Sequence, residues 1–272
     1  MSRLKRKYRK FCELRGFFEN WYIFIIERYH ILPKCSFIKY RLRNGMQFYV
    51  RPYTSDTPVL IDNVKTRGYQ KYFDISPNDI VIDIGANIGA FSCSVAYAEP
   101  TVQVYAFEPL SLHFNILKKN IFINNLKNIY PNNLAIAEEF GTSSIFYEDG
   151  WSASASFSDS YYVKNTKYHT ENVQCIPFQD IFTLHGIKHC NFLKIDCEGA
   201  EYRFLLNTPL SLFEKIDKIA MEFHDYDDKH NFLDLAKLFE SVGFKIIIPK
   251  VISFTTIEGK EKQIGLLYAW RE

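Results

Sequence analysis

The spacing of hydrophobic residues changes along the chain, and each change predicts an element. From Phe37 to Arg51, apolar and polar side chains alternate on either side of Asn44-Gly45. That alternation predicts two half-buried strands, and Asn-Gly favours the positive φ angles of a two-residue hairpin turn. Pro52 to Asp79 reads as a loop with a short helix. At Ile80-Val-Ile-Asp-Ile84 the apolar run becomes continuous, the mark of a parallel strand covered on both faces. Ile88, Phe91, Val95 and Ala98 follow at helical spacing. Val102 to Phe107 is a second strand, and Phe114, Leu117 and Ile121 mark a second helix. Further strands are predicted near Ile129 to Ala137, at Phe192 to Ile195 and at Ile216 to Phe223. A helix over Phe232, Leu235, Ala236 and Phe239 ends at Gly243 as its C-cap. Strands near Phe244 to Ile248 and Gln263 to Ala269 complete the pattern.

Strand-helix alternation of this kind predicts an α/β fold, a mostly parallel sheet with helices on both faces. Ligands bind such sheets beyond the carboxyl ends of the strands, where strand order reverses. Residues 138–176 interrupt the alternation with Ser, Tyr and Asn, and contain a hairpin pattern, Ser143 to Tyr147 against Val173 to Ile176. A long polar insertion at that edge serves as a lid or a substrate wall. Within it, Trp151 to Ser156 is either an aromatic platform with hydroxyls for a sugar ring or a surface loop.

Composition removes several classes. Of 272 residues, 47% are hydrophobic and 24% charged, which excludes a disordered chain. The apolar stretch Trp21 to Ile26 is flanked by Glu19 and Glu27, too short to span a bilayer, and no small-residue cleavage site follows it. Cysteines 12, 35, 93, 175, 190 and 197 form no C-x-x-C pair, so reduced thiols and a cytoplasmic location are expected. The net charge of +2 is unevenly spread. Residues 1–45 hold twelve Lys/Arg against three Glu, a net of +9, which leaves 2 − 9 = −7 for the rest. The basic run Arg3 to Lys10 enters an aromatic stripe, Phe11, Leu14, Phe17, Phe18, Trp21 and Tyr22. Helical spacing makes packing on the main domain the expected role, and peripheral contact of residues 1–30 with an anionic membrane is the alternative. The acidic remainder argues against nucleic acid as a partner. Oligomeric state is not legible.

The chemistry concentrates at two strand ends. In Val81-Ile-Asp83-Ile-Gly85-Ala-Asn87-Ile-Gly89 a buried strand runs into a glycine-rich turn and a helix. Gly85 and Gly89 allow a ligand close to the backbone, and the helix start offers N–H groups. Asp83 precedes the turn, which disfavours a pyrophosphate and with it a nicotinamide-dependent oxidoreductase, the rival enzyme class. Glu108, at the end of the second strand, is placed to accept hydrogen bonds from two ribose hydroxyls. Together these suit S-adenosylmethionine. Asp196 and Glu198 follow the fourth strand, and Glu222 and His224 end the fifth. Attack by a hydroxyl needs a base or a metal, and crowding among these acids would raise a pKa. Helix capping by Asp196 and Glu198 is the structural alternative. Glu222, His224, Asp225, Asp227, Asp228 and His230 have donor types suited to a metal, but a solvated loop is expected and no metal is assigned. Lys194, inside an apolar strand, is expected to be a paired lysine.

The chain resembles the FkbM-type S-adenosylmethionine-dependent methyltransferases. The resemblance runs from about Arg51 to Tyr226 through Thr54-Ser-Asp56, Gly68-Tyr69, Asp83 to Gly89, Phe107-Glu-Pro109, Asn133-Leu-Ala135, Lys194-Ile-Asp-Cys-Glu-Gly-Ala-Glu201 and Met221-Glu-Phe-His224. Cys197 and Leu134 depart from the usual pattern. The resemblance implies a class I methyltransferase (Rossmann-like) fold with a seven-stranded sheet and an antiparallel last strand. It also implies O-methylation of a hydroxyl, with a saccharide or glycoconjugate as acceptor. Residues 51–272 would form the methyltransferase domain and residues 1–50 a basic, aromatic helical and hairpin extension. Cofactor contacts are expected from Asp83, Gly85, Ala86, Asn87, Gly89, Glu108 and Asn133, and acceptor-side roles from Asp196, Glu198 and His224. A non-catalytic scaffold of the same fold is the remaining rival.

Overall fold

The computed structural model describes residues 12–33, 37–148, 168–226, 229–255 and 261–271. The basic run 3–10, Cys35, Trp151 to Ser156, Asp227 and Asp228 lie outside the described residues. A helical turn over 12–17 leads to α1 (Tyr22–Arg28), then β1 (Ile38–Arg41) and β2 (Gln47–Val50). These strands pair antiparallel, with Arg41 opposite Gln47. Their turn differs from the two-residue form. Leu42 N–H donates to the Met46 carbonyl at 2.8 Å, and within the loop positive φ occurs at Gly45 (93°) and not at Asn44. Asn44 instead accepts the Met46 N–H on its side chain at 3.2 Å, so a three-residue loop closes on one left-handed glycine.

The main body follows as α2 (Asp56–Leu60), a π-helical turn (Ile61–Thr66), a 3-10 turn (Gly68–Gln70), β3 (Ile80–Ile84), α3 (Ala90–Ala98), β4 (Gln103–Phe107), α4 (Ser111–Ile123) and β5 (Ile129–Asn132). Next come β6 (Ala135–Ala137), β7 (Gly141–Glu148), β8 (Tyr168–Pro177), α5 (Phe178–His185), β9 (Cys190–Ile195), α6 (Glu201–Leu205) and α7 (Leu210–Phe213). The chain closes with β10 (Ile216–His224), α8 (Phe232–Ser241), β11 (Lys245–Thr255) and β12 (Glu261–Trp270). The expected single strand over residues 129–137 is two. The Asn133 side chain donates to the Glu108 and Pro109 carbonyls at 2.9 and 2.7 Å, and the chain turns there from one sheet into another. Helix α5 has no counterpart in the sequence reading; it starts directly after Pro177 and buries Phe178, Ile181 and Phe182. Gly243, at φ 89°, follows α8 as expected.

Seven strands form one sheet in the order β11-β12-β10-β9-β3-β4-β5. Strands β10, β9, β3, β4 and β5 are parallel, and β12 runs antiparallel between β10 and β11. From β3 the chain winds outward through β4 and β5, then returns to the other side of β3 for β9 and β10. Strand order therefore reverses between β3 and β9, where ligand crevices form. A small sheet, β6-β8-β7, stands beside it; its β7–β8 hairpin sets Ser143 opposite Val173 and Tyr147 opposite His169, so the partner of Ser143 to Tyr147 is His169 to Val173 and not the expected Val173 to Ile176.

Side-chain alternation divides the core. Val81, Val104 and Phe192 face α3 and α4, with Phe91 and Leu117, whereas Ile82, Phe107, Leu193 and Met221 face Phe182, Phe204 and Phe239. The extension joins the first of these cores. Phe18 and Phe48 are fully buried in it, and Asn20 spans to the backbone of Lys39 and Arg41 at 2.8 and 2.9 Å. Buried Glu27 accepts hydrogen bonds from the Tyr40 hydroxyl at 2.7 Å, the Thr57 hydroxyl at 3.1 Å and the Tyr53 N–H at 3.3 Å. The aromatic stripe is thus core material at Leu14 and Phe18. Among the described residues, no helix is long and apolar enough to cross a membrane. Phe18→Ala is expected to cost about 3–5 kcal/mol in urea unfolding; a tail merely resting on the domain would change the midpoint very little.

Candidate active site

The β3–α3 turn forms the centre of the site. Gly85 has φ 78°, and a Cβ there would lie 1.8 Å from the Asp196 carbonyl oxygen, so glycine alone permits this approach of β3 to β9. The turn is stitched to β4: the Gly85 and Ala86 N–H groups donate to the Phe107 carbonyl at 3.0 and 2.9 Å, and the Asn87 N–H donates to Glu108 Oε2 at 2.8 Å. The Ile88 N–H goes to the Asn87 side chain and the Gly89 N–H to the Ala86 carbonyl. The N–H groups expected to face a ligand are therefore already used, most tellingly by Glu108. Glu108 is 4% exposed, and its Oε1 accepts the Leu110 N–H at 2.9 Å. Each ionised oxygen keeps further acceptor capacity for a ribose hydroxyl.

A cavity of about 320 Å³ opens over this turn. Gly85, Ala86, Asn87 and Glu108 line it, as do Leu134 and Ile145. Ile145 belongs to the polar insertion, which here supplies a wall. Three residues expected to touch the cofactor do not line the cavity. Asp83 is fully buried: it shares the parity of Val81, so it faces α3, where Ser92 Oγ donates to it at 2.5 Å. Gly89 packs against α4, where a Cβ would meet Leu117 at 2.3 Å. Asn133 braces the Glu108–Pro109 backbone instead.

Lys194 accounts for Asp83. Its ammonium forms an ion pair with Asp83 Oδ1 at 3.1 Å and donates to the Gly85 carbonyl at 2.6 Å. Burial alone would lower its pKa, but Asp83 and Asp196 outweigh that and hold it above the ordinary lysine value. The expected pairing of Lys194 is therefore present, and its partner is the acid expected to meet the ligand.

Across the switch point lies a cluster of acids. Asp196 and Glu198, beyond β9, and Glu222 on β10 line the cavity together with Asp62 of the π-helical turn. Tyr69, from the 3-10 turn, reaches both Asp196 Oδ2 at 2.9 Å and Glu222 Oε2 at 3.2 Å. Capping is not what Asp196 and Glu198 do, since the α6 N-cap is Ala200 with no side-chain cap. Glu201 instead accepts the Cys197 N–H at 3.1 Å and pairs with His224 Nδ1 at 2.9 Å. His224 Nε2 lies 3.5 Å from Glu198 Oε2.

His224 does not line the cavity, which corrects its expected role as a base. Burial favours neutral imidazole, but Glu198 and Glu201 overcome it and raise the pKa well above the ordinary value. The resulting cation has no lone pair for an acceptor proton, and acts as counter-ion to the acids. Burial raises Glu198 to about 8, opposed by His224, and burial with Asp196 raises Glu222 to about 7. One atom each of Asp196, Glu198 and His224 lies within 4.8 Å of the others, a compact carboxylate–imidazolium group. Asp225, from the loop considered for a metal, is buried and hydrogen-bonded by Tyr202. Sequence reasoning missed Tyr69 and Glu201 as site residues, although both stood inside quoted motifs.

Five parallel strands about the β3–β9 switch, with β12 inserted antiparallel beside β10, define the class I methyltransferase fold. Residues 83–246 match the model of the methyltransferase FkbM domain, more than half the chain, and the protein belongs to that family. It is similar to Methyltransferase 1 of Beauveria bassiana, 24% identical over 199 residues that cover 66% of this chain and 79% of that protein. It is also similar to 31-O-demethyl-FK506 methyltransferase FkbM of Streptomyces tacrolimicus, 27% identical over 199 residues, 64% of this chain and 75% of that one. Among solved structures, M. jannaschii TYW2 in complex with AdoMet aligns with TM-score 0.45 and 16% identity over 89% of each chain. The family's cofactor is S-adenosylmethionine. The cavity suits it, with Glu108 for ribose hydroxyls, Leu134 and Ile145 as apolar wall, and acids for a sulfonium.

Glu108→Gln is expected to weaken S-adenosylhomocysteine binding at least ~10-fold in calorimetry and to lower stability by about 1–3 kcal/mol in urea, because a charged acceptor is lost and the new amide nitrogen faces a backbone N–H. Asp83→Asn is expected to destabilise by about 3–5 kcal/mol in urea, because it strands the Lys194 charge. The raised acids also fix a pH dependence. Glu198 and Glu222 hold protons in the fold that the unfolded chain releases near 4.5, so their contribution is complete below that value and is lost as pH rises through 7 to 8. His224, also raised, loses its contribution in the same direction. The urea midpoint is therefore expected to fall between about pH 5 and pH 9 and to flatten in the Glu198→Gln/Glu222→Gln double variant.

Proposed function

We propose that this methyltransferase is an O-methyltransferase acting on the hydroxyl of a neutral acceptor, a saccharide or glycoconjugate. The observation that carries this reading is the set of cavity-lining carboxylates, Asp62, Asp196, Glu198 and Glu222, across the β3–β9 switch from Glu108. Such a wall repels phosphates and carboxylates and offers hydrogen-bond acceptors to hydroxyl groups. The name of the Streptomyces relative, a 31-O-demethyl-FK506 methyltransferase, also points to transfer to oxygen.

When bound, S-adenosylmethionine supplies an activated methyl on a sulfonium, leaving the bonding pair on sulfur. The protein's share is to align the acceptor and take its proton. Asp196 is the base in this reading. Its side chain is 28% exposed, lines the cavity, and is oriented by the Tyr69 hydroxyl. Glu198, tied to His224, forms the adjacent wall, and Glu108 and the Gly85–Asn87 turn hold the nucleoside.

The test is release of S-adenosylhomocysteine with a panel of glycans and hydroxylated small molecules. Asp196→Asn is expected to lower turnover ~100-fold or more while affinity for S-adenosylhomocysteine, which lacks the sulfonium charge, stays within about threefold. Methylation of amines alone across the panel would contradict the reading.

A further inference from the structure

Tyr69, Asp196 and Glu222 make two oxygen–oxygen contacts, at 2.9 and 3.2 Å, around one phenolic oxygen. A phenol carries one proton and donates to one carboxylate at a time. A carboxylic acid donating to the phenolic oxygen satisfies the second contact with a proton of its own. Lys194 determines which. Its ammonium lies 3.8 Å from Asp196 Oδ2, within ion-pair range, and 5.2 Å above the Tyr69 ring, whereas no such pair with Glu222 forms among the described residues. The extra proton therefore sits on Glu222, in the order Asp196 carboxylate, Tyr69 hydroxyl, Glu222 acid. The pKa of Glu222, raised by burial and by Asp196, agrees with this.

We propose that Glu222 stores a proton that the site exchanges for the positive charge of its methyl donor. The proton leaves for solvent as a sulfonium enters the acid-lined cavity, and the acceptor hydroxyl replaces it at transfer. The first half follows from electrostatics, since a cation added among carboxylates lowers the pKa of the protonated one. The second half rests on the O-methylation reading above. As the C–O bond forms and the S–CH₃ bond breaks, Asp196 takes the hydroxyl proton and passes it to the Tyr69 oxygen. Tyr69 yields its own proton to Glu222. Sulfur loses one positive charge and Glu222 gains one proton, so the site returns to its starting charge. Tyr69 is a positioning residue here, acting through the two acids. The groups around Glu222 are Lys194 from β9, Asp196 and Glu198 from the loop beyond it, Tyr69 from the 3-10 turn and His224 on its own strand. Tyr268 on β12 also faces Glu222, and Asp62 of the π-helical turn faces Asp196 and Tyr268.

The test needs no acceptor. S-adenosylmethionine and S-adenosylhomocysteine carry the same ionisable groups and differ in the sulfonium charge, so once each free ligand's own ammonium titration is subtracted, the difference in proton release between them reads that charge. Calorimetric titrations of the full chain, in two buffers of different ionisation enthalpy, count the protons. S-adenosylmethionine is expected to release about half a proton more at pH 7, the difference fading above about pH 9. Glu222→Gln is expected to abolish the difference while still binding S-adenosylhomocysteine, and Glu198→Gln to retain it. Equal release from the two ligands, or a difference that survives Glu222→Gln or vanishes in Glu198→Gln, would overturn the proposal while leaving O-methylation standing. Binding of neither ligand would overturn the cofactor as well. If Glu222→Gln does not fold, infrared spectra of the wild-type chain decide the matter. A protonated-carboxyl band must disappear with S-adenosylmethionine and persist with S-adenosylhomocysteine, and a band unchanged by both overturns the proposal.

Discussion

The buried ammonium of Lys194 sits where the two halves of the sheet meet, paired with Asp83 at 3.1 Å and bonded to the Gly85 carbonyl at 2.6 Å. It joins β3 to β9 at the point of strand reversal and fixes the glycine turn from below. A buried ion pair adds little net stability, but removal of one partner leaves an uncompensated charge. Its value here is positional. It braces the turn beneath the cavity and stands 3.8 Å from Asp196, the first residue beyond β9. The left-handed Gly85 completes the arrangement, because any side chain there would collide with the Asp196 backbone.

Charge is graded across the cavity as a consequence. On the β4 side, both oxygens of Glu108 accept backbone N–H groups. On the β9–β10 side, acids outnumber cations, and His224 and Lys194 offset only part of their charge. Burial, and after it the neighbouring carboxylates, push Glu198 and Glu222 upward. A cationic methyl donor relieves the same excess. In the proposed reaction, cofactor binding and acceptor activation draw on one electrostatic imbalance.

Much of the fold was legible because buried parallel strands have continuous apolar runs, as in Ile80 to Ile84, and because the helices after them keep their spacing. The two-strand nature of residues 129–137 was hidden: it depends on Asn133 bonding to carbonyls of a distant loop. The site was legible as a set of strand-end residues and less so as an arrangement. Asp83 was recognised as chemically special, but only side-chain parity places it against Ser92 and Lys194 rather than the ligand. His224 read as a base because sequence cannot show that Glu201 and Glu198 bracket it. Tyr69 joins the acids from a turn 127 residues before Asp196, and no local pattern carries that contact.

The central claim is that the Gly85–Asn87 turn and Glu108 together seat the nucleoside of the methyl donor. A crystal structure of the protein soaked with S-adenosylhomocysteine tests it most directly. The account requires both ribose hydroxyls on Glu108 and the sulfur facing Asp196 and Glu222 across the β3–β9 switch. A nucleoside bound elsewhere, or turned with its sulfur away from those acids, would contradict it.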